Sequence, residues 1–260
     1  YKEVNITILI MDKTSFARSY NGAGAIYKFM AFLMFVISSA CNIIGQILHL
    51  HILTCCSKPL IVPSLALFCW ILLKNYRISG LRVTTLISAL TFGAIGDILL
   101  MFDGQAAFLA GLTSFLIGHI FYLVTIGSPQ KEQSGSHFGI LRIVPVVMIF
   151  ILAMTAQLFK VKGFLGMAVT VYAVTFAFCI NAGMQNAVIK RQRLYWITVA
   201  GYVLFVISDT ILAIGKFTEI RIRASGFWIM LTYILAQFLI ALSLTLVEIR
   251  QSNEIKVQPN

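Results

Sequence analysis

Along most of its length the chain repeats one pattern, an apolar run of about 20 residues followed by a short polar break. Eight such runs lie at 27–48, 53–73, 82–102, 105–126, 138–158, 163–187, 194–216 and 226–247. Each is long enough to cross a hydrocarbon core of about 30 Å. Lipid offers the backbone no hydrogen bonds, so helices are the expected spanning form, and strand alternation of the barrel type is absent. The pattern predicts an all-α polytopic membrane protein with eight transmembrane helices.

The break with the clearest loop composition is SPQKEQSGSH (128–137). It divides the transmembrane domain, 27–247, into halves at 27–126 and 138–247. Residues 1–26 read as an N-terminal amphipathic lead ending in NGAGA (21–25), a flexible joint, and 248–260 as a C-terminal tail. NGAGA has neither the lysine nor the preceding strand of a phosphate-binding loop. VNITILIM (4–11) is short and follows no basic region, so it does not read as a cleavable signal.

The halves resemble each other. GAIGDILLMF (93–102) in span three and VLFVISDTILAI (203–214) in span seven are apolar runs with one aspartate each, Asp97 and Asp209. Both aspartates lie 15 residues past the start of their span. FLIGHIFYL (115–123) in span four and YILAQFLIAL (233–242) in span eight put His119 and Gln237 in similar places. Four spans per half means that both halves enter the membrane from the same side, which is a parallel repeat.

Composition agrees with the pattern: 59% of the residues are hydrophobic and 11% charged, against about 25% charged in a soluble domain. The net charge of +11 would suggest nucleic acid in a soluble protein. Here the basic residues cluster in short loops, so topology and anionic headgroups explain them, and no nucleic-acid partner is expected. Fourteen Lys and Arg fall on one side and six on the other, which puts both termini in the cytoplasm. Each aspartate is then about 22 Å from the cytoplasmic start of its span, in the far third of the core. The five cysteines, at 41, 55, 56, 69 and 179, form no CxxC and read as buried thiols.

A carboxylate at membrane depth is costly and is a functional-site hypothesis by default. Other polar residues accompany the two aspartates at helical spacing: Asn42, Gln46 and His49; His119 and Tyr122; Asn181 and Gln185; Tyr233 and Gln237. Such pairs share a helix face that turns inward in lipid, where they act as interhelical glue or meet a ligand. For His119 the plainer reading is a core histidine with satisfied nitrogens, the sharper one an acid or base. Lys58 opens span two in SKPLIVP (57–63), where Pro59 suits a first helical turn. It lies near the face that carries the aspartates. It can pair with a carboxylate, hold a phosphate, or snorkel to water.

No GxSxG, HExxH or metal-like cluster occurs, and no metal or cofactor is expected. What remains is two carboxylates in a dry site, one able to act as a neutral acid while the other is an ionised base. That division suits acid-catalysed addition of water to an electron-rich bond, and either aspartate can take either role.

At these residues the sequence resembles a known family. GDILL (96–100), FLAGLTSFLIGHIFY (108–122), LFVISDTILA (204–213) and YILAQFLI (233–240), with KPL at 58–60, are similar to the lysoplasmalogenase family, also called YhhN-like membrane proteins. The resemblance runs from about residue 30 onward. It implies eight spans and hydrolysis of the vinyl ether bond of lysoplasmalogen, giving a fatty aldehyde and glycerophosphoethanolamine or glycerophosphocholine. It carries the family's two aspartates over to Asp97 and Asp209. The expected partners are then a lysophospholipid substrate and the bilayer, with Lys58, His119, Tyr122, Tyr233 and Gln237 as substrate-binding residues. Two other readings of the same residues are a proton-coupled carrier, for which repeated halves with carboxylates near their interface are suited, and a non-catalytic lipid-binding protein.

Overall fold

The structure, a computed structural model, describes residues 22–127 and 163–257. Among the described residues there are seven helices and no strand: α1 (Gly22–Ile47), α2 (His51–Asn75), α3 (Leu81–Leu99), α4 (Gln105–Ile126), α5 (Gly163–Ile189), α6 (Leu194–Phe217) and α7 (Ser225–Val257). All seven are long and apolar enough to cross a bilayer, and the protein is an integral multi-pass membrane protein. The span expected at 138–158, the loop 128–137 and residues 1–21 of the lead lie outside the described residues.

Three sequence expectations are corrected. NGAGA is not a joint: helix begins at Gly22, because Ala23 and Ala25 favour helix and no proline intervenes. The last span does not end at 247: residues 248–257, assigned to the C-terminal tail, continue α7, which is 33 residues long. Charge pairing explains the extension: Arg250 Nε donates to Glu254 Oε1 at 2.9 Å one turn on. Arg82 on α3 also reaches Glu248 Oε1 at 3.3 Å and Gln251 Oε1 at 2.6 Å. Finally, α2 begins at His51, so Pro59 and Pro63 are both interior to it rather than in its first turn. Each proline removes a donor from the ladder. Neighbouring helices make such losses tolerable in membrane helices.

Consecutive helices pair as hairpins, α1 with α2, α3 with α4 and α6 with α7. Helix α5 packs between α4 and α6, and α7 closes the bundle against α1, α2 and α3. The interior holds Leu65, Leu86, Tyr202, Phe205 and Ile240, but also Asn42, Thr85, Asp97, His119, Thr198 and Gln237. The outside shows Ile26, Phe29, Leu67, Trp196 and Val203. In lipid, apolar burial does not hold helices together; close packing and interhelical hydrogen bonds do.

Both devices recur at two hairpins. A Cβ on Gly96 would lie 2.8 Å from the Phe115 ring, and one on Gly201 would lie 2.7 Å from Ile240 Cγ1. Only glycine lets α4 and α7 approach that closely. Thr85 Oγ1 and Thr125 Oγ1 are 2.8 Å apart, and Thr198 Oγ1 and Ser243 Oγ are 2.7 Å apart. Thr85 lies four residues past Leu81 and Thr198 four past Leu194, so each hairpin is pinned near the same end.

Candidate active site

The two aspartates stand at matching distances from the starts of their helices, Asp97 16 residues past Leu81 and Asp209 15 past Leu194. Asp97, in the last turn of α3, is 2% exposed, and Asp209 on α6 is half-buried. The carboxylates lie within electrostatic reach of each other.

Helices α2 and α7 reach Asp97 directly, and α4 reaches it through α7. From α7, Tyr233 Oη donates to Asp97 Oδ2 at 2.6 Å. From α2, Lys58 Nζ lies 3.9 Å from Asp97 Oδ1. One turn along α7, Gln237 Nε2 donates to Tyr233 Oη at 3.4 Å. From α4, Tyr122 Oη donates to Gln237 Oε1 at 3.0 Å. The donors therefore run in one direction, Tyr122 to Gln237 to Tyr233 to Asp97. Local sequence makes this possible. Tyr233 and Gln237 share a face at i,i+4. A Cβ on Gly93 of α3 would already stand 3.4 Å from Gln237 Nε2, so a larger residue there would push the amide aside.

Asp209 has a simpler setting. Tyr172 Oη on α5 donates to Asp209 Oδ2 at 2.7 Å. Tyr172 also lies within electrostatic reach of Asp97.

A run of ring contacts through His119 and Phe205 connects Tyr172 to Tyr233. His119 is 2% exposed and is enclosed by Phe176, Phe205, Tyr172, Tyr202 and Tyr122, with ring centroids between 4.4 and 6.0 Å away. Neither ring nitrogen of His119 has a hydrogen-bond partner among the described residues, contrary to the expectation of a satisfied core histidine. Phe205 also lies 5.4 Å from the Tyr233 ring, so one aromatic layer links the surroundings of both aspartates.

Of the residues singled out from sequence, Asp97, Lys58, Tyr122, Tyr233 and Gln237 thus form one connected network. Asp209 stands beside it and His119 among the rings. Lys58 meets a carboxylate, the first of its three expected alternatives. The other polar pairs lie elsewhere. Asn42 ties α1 to α2 through Thr54 O at 3.2 Å and Ser57 Oγ at 3.0 Å. On α5, Asn186 reaches Gly127 O at 3.0 Å, while neither Asn181 nor Gln185 makes a side-chain bond to another helix among the described residues. Tyr172 was not among the expected site residues. Its signal was a phenol hydroxyl inside an apolar run, a group that needs a partner once buried. Among the described residues no cluster of His, Cys, Asp and Glu could hold a metal ion.

What the arrangement can do chemically is narrow. It offers two carboxylates, each with a phenol donor, one with a lysine, in a largely aromatic enclosure near one end of the bundle. It can give and take a proton and can stabilise a transient cation. The chain is similar to the bovine (Bos taurus) protein named lysoplasmalogenase TMEM86A, with 28% identity over 192 residues, covering 70% of this chain and 76% of that one. It is equally similar to the human (Homo sapiens) protein of the same name, 28% over 194 residues with the same coverage. No solved structure matches. The sequence profile of the YhhN family matches residues 53–244, a stretch that contains Lys58, Asp97, His119, Tyr122, Tyr172, Asp209, Tyr233 and Gln237, and the chain belongs to that family.

Proposed function

We propose that the protein hydrolyses the vinyl ether bond of lysoplasmalogen inside the membrane, yielding a fatty aldehyde and glycerophosphoethanolamine or glycerophosphocholine. The observation that carries this reading is the pair of carboxylates at matching distances from their helix starts, each held by a tyrosine hydroxyl. The similarity to proteins named lysoplasmalogenase supplies the substrate class. Depth fits as well. Asp97 stands two residues before the end of α3, about 3 Å along the axis. A vinyl ether sits next to the glycerol, at the same edge of the hydrocarbon, with its tail in lipid and its headgroup toward water.

The reaction needs a proton at the outer vinyl carbon and leaves a cation at the carbon bonded to oxygen. A protonated aspartate gives the proton, and an ionised one stabilises the cation and accepts a proton from attacking water. The hemiacetal then collapses to aldehyde and alcohol. Glycosidases use two carboxylates around a similar oxocarbenium-like state. Tyr122, Gln237 and Tyr233 orient Asp97, and Lys58 supports its charge.

The wider architecture in this reading is eight helices in two parallel repeats of four, with both termini cytoplasmic. Two observations support the repeat. The hydroxyl pins of α3–α4 and α6–α7 fall at matching positions. Each aspartate also takes a partner from the helix before its own: Lys58 on α2 for Asp97, and Tyr172 on α5 for Asp209.

Purified protein in bilayers, given lysoplasmalogen and scored for free aldehyde, tests the function. Release of aldehyde from the vinyl ether lipid, and none from its saturated ether analogue, is the expected result. No release above a protein-free control overturns it.

A further inference from the structure

We infer that the two aspartates hold fixed and different charges: Asp97 is the ionised base and Asp209 carries the reacting proton. The inference rests on the vinyl ether hydrolase reading and adds the division of labour that the sequence leaves open.

The surroundings of the two carboxylates are asymmetric. Asp97 faces Lys58 from α2, Tyr233 from α7, and more distantly Tyr172 from α5 and Asp209 from α6. Asp209 faces Tyr172 from α5 and Asp97 from α3. No ion pair involving Asp209 occurs among the described residues.

Burial alone argues the other way, since Asp97 is the more enclosed of the two and burial disfavours charge. Lys58 decides the balance. With Asp97 neutral, the half-buried ammonium, 21% exposed, would lose its one carboxylate partner among the described residues, and an unpaired charge away from water is the costlier state. The hydrogen-bond chain agrees. Tyr122, Gln237 and Tyr233 each donate toward Asp97, and donors aligned on one acceptor polarise one another in favour of negative charge there. Asp209 has one donor and a carboxylate neighbour. With one negative charge to be shared between two like groups, it settles on the carboxylate with the cation.

The proton inventory closes over a turnover. The Asp209 proton goes to the outer vinyl carbon, and the C=C π pair becomes the new C–H bond. Water adds to the resulting cation and gives a proton to Asp97. On collapse, Asp97 returns that proton to the departing glycerol oxygen as the C–O bond breaks. The hemiacetal hydroxyl gives its proton to Asp209 as the aldehyde forms, and both residues end as they began.

Infrared spectroscopy of the protein in bilayers at neutral pH tests the assignment without turnover. A protonated buried carboxyl group gives a C=O stretch well above the amide and carboxylate bands. The expected result is one such band that is lost in Asp209→Asn. It is kept in the double variant Lys58→Met/Asp97→Asn, which removes the ion pair as a unit. Tyr172→Phe should shift the band, because it frees the Asp209 carboxyl of its donor, and Tyr233→Phe should not. The Tyr172→Phe arm serves even where Asp209→Asn fails to fold. A band that survives Asp209→Asn, or that moves with Tyr233→Phe and not with Tyr172→Phe, overturns the assignment. Aldehyde release measured on the same wild-type preparation separates the two ideas. Its absence with the infrared pattern intact counts against the hydrolase reading and not against the charge assignment.

Discussion

Replacing Lys58 by methionine keeps the length and apolar stem of the side chain and removes only the ammonium. In the structure that ammonium stands 3.9 Å from Asp97 Oδ1. Two unit charges at about 4 Å interact by on the order of 4 kcal/mol at an effective dielectric of about 20. The Lys58 side chain is 21% exposed, so water screens part of this. Taking half leaves about 2 kcal/mol, equivalent to about 30-fold in rate. The loss should fall on kcat with KM nearly unchanged, because Lys58 acts by keeping Asp97 in its ionised, base-competent form and does not hold the substrate, and a loss of that kind lowers kcat and kcat/KM together. Initial rates of aldehyde release over a lysoplasmalogen concentration series, in mixed micelles, measure both constants. A raised KM with kcat unchanged would refute the reasoning and make Lys58 a ligand of the substrate phosphate. No change in either would make it an interfacial lysine without a role in the site.

Tyr233→Phe should cost more than Tyr172→Phe in aldehyde release. A hydrogen bond to a charged group is worth about 1.5–3 kcal/mol and one to a neutral group about 0.5–1.5, and equal losses would remove the distinction between the aspartates. Gly96→Val should lower the melting temperature in detergent, since its Cβ alone would stand 2.8 Å from the Phe115 ring and overpacking costs about 1–3 kcal/mol. It should lower activity too, because Phe115 packs 6.0 Å from the Tyr233 ring. Single cysteines placed at Ser134 and Ser252 in a cysteine-free background should be labelled from the same side of the membrane, and labelling from opposite sides would sink the eight-span topology.

Much of this was legible in the chain because lipid enforces a simple rule. A polar side chain in an apolar run must face inward, so Asp97, Asp209, Tyr122 and Gln237 marked themselves. Helix ends were less legible. The extension of α7 past residue 247 depends on Arg82 reaching Glu248 and Gln251 from α3, a contact that spacing along one helix does not reveal. Pro59 looked like a helix start, yet α2 begins eight residues before it, because a bundle can tolerate a missing donor. Tyr172 escaped notice since its ring counts as apolar in a hydrophobic run and only its hydroxyl is functional. The choice of Asn186 over Asn181 and Gln185 is a matter of rotation about α5, which is set by what α4 offers at Gly127 O. The hairpin hydroxyl pairs were hidden for the same reason: Thr85 and Thr125 are 40 residues apart.

The central claim is that Asp97 and Asp209 share the acid and base work. Its most direct test is turnover of lysoplasmalogen by Asp97→Asn and Asp209→Asn, each purified and checked for wild-type membrane insertion and melting. Asparagine keeps the shape and most hydrogen bonds but carries neither the proton nor the charge. Each single variant should lose at least about 100-fold, the low end for a positioned acid–base group. The double variant should be little worse than either, since groups that act as a unit are not additive. Near-normal aldehyde release by either well-folded single variant would contradict the claim.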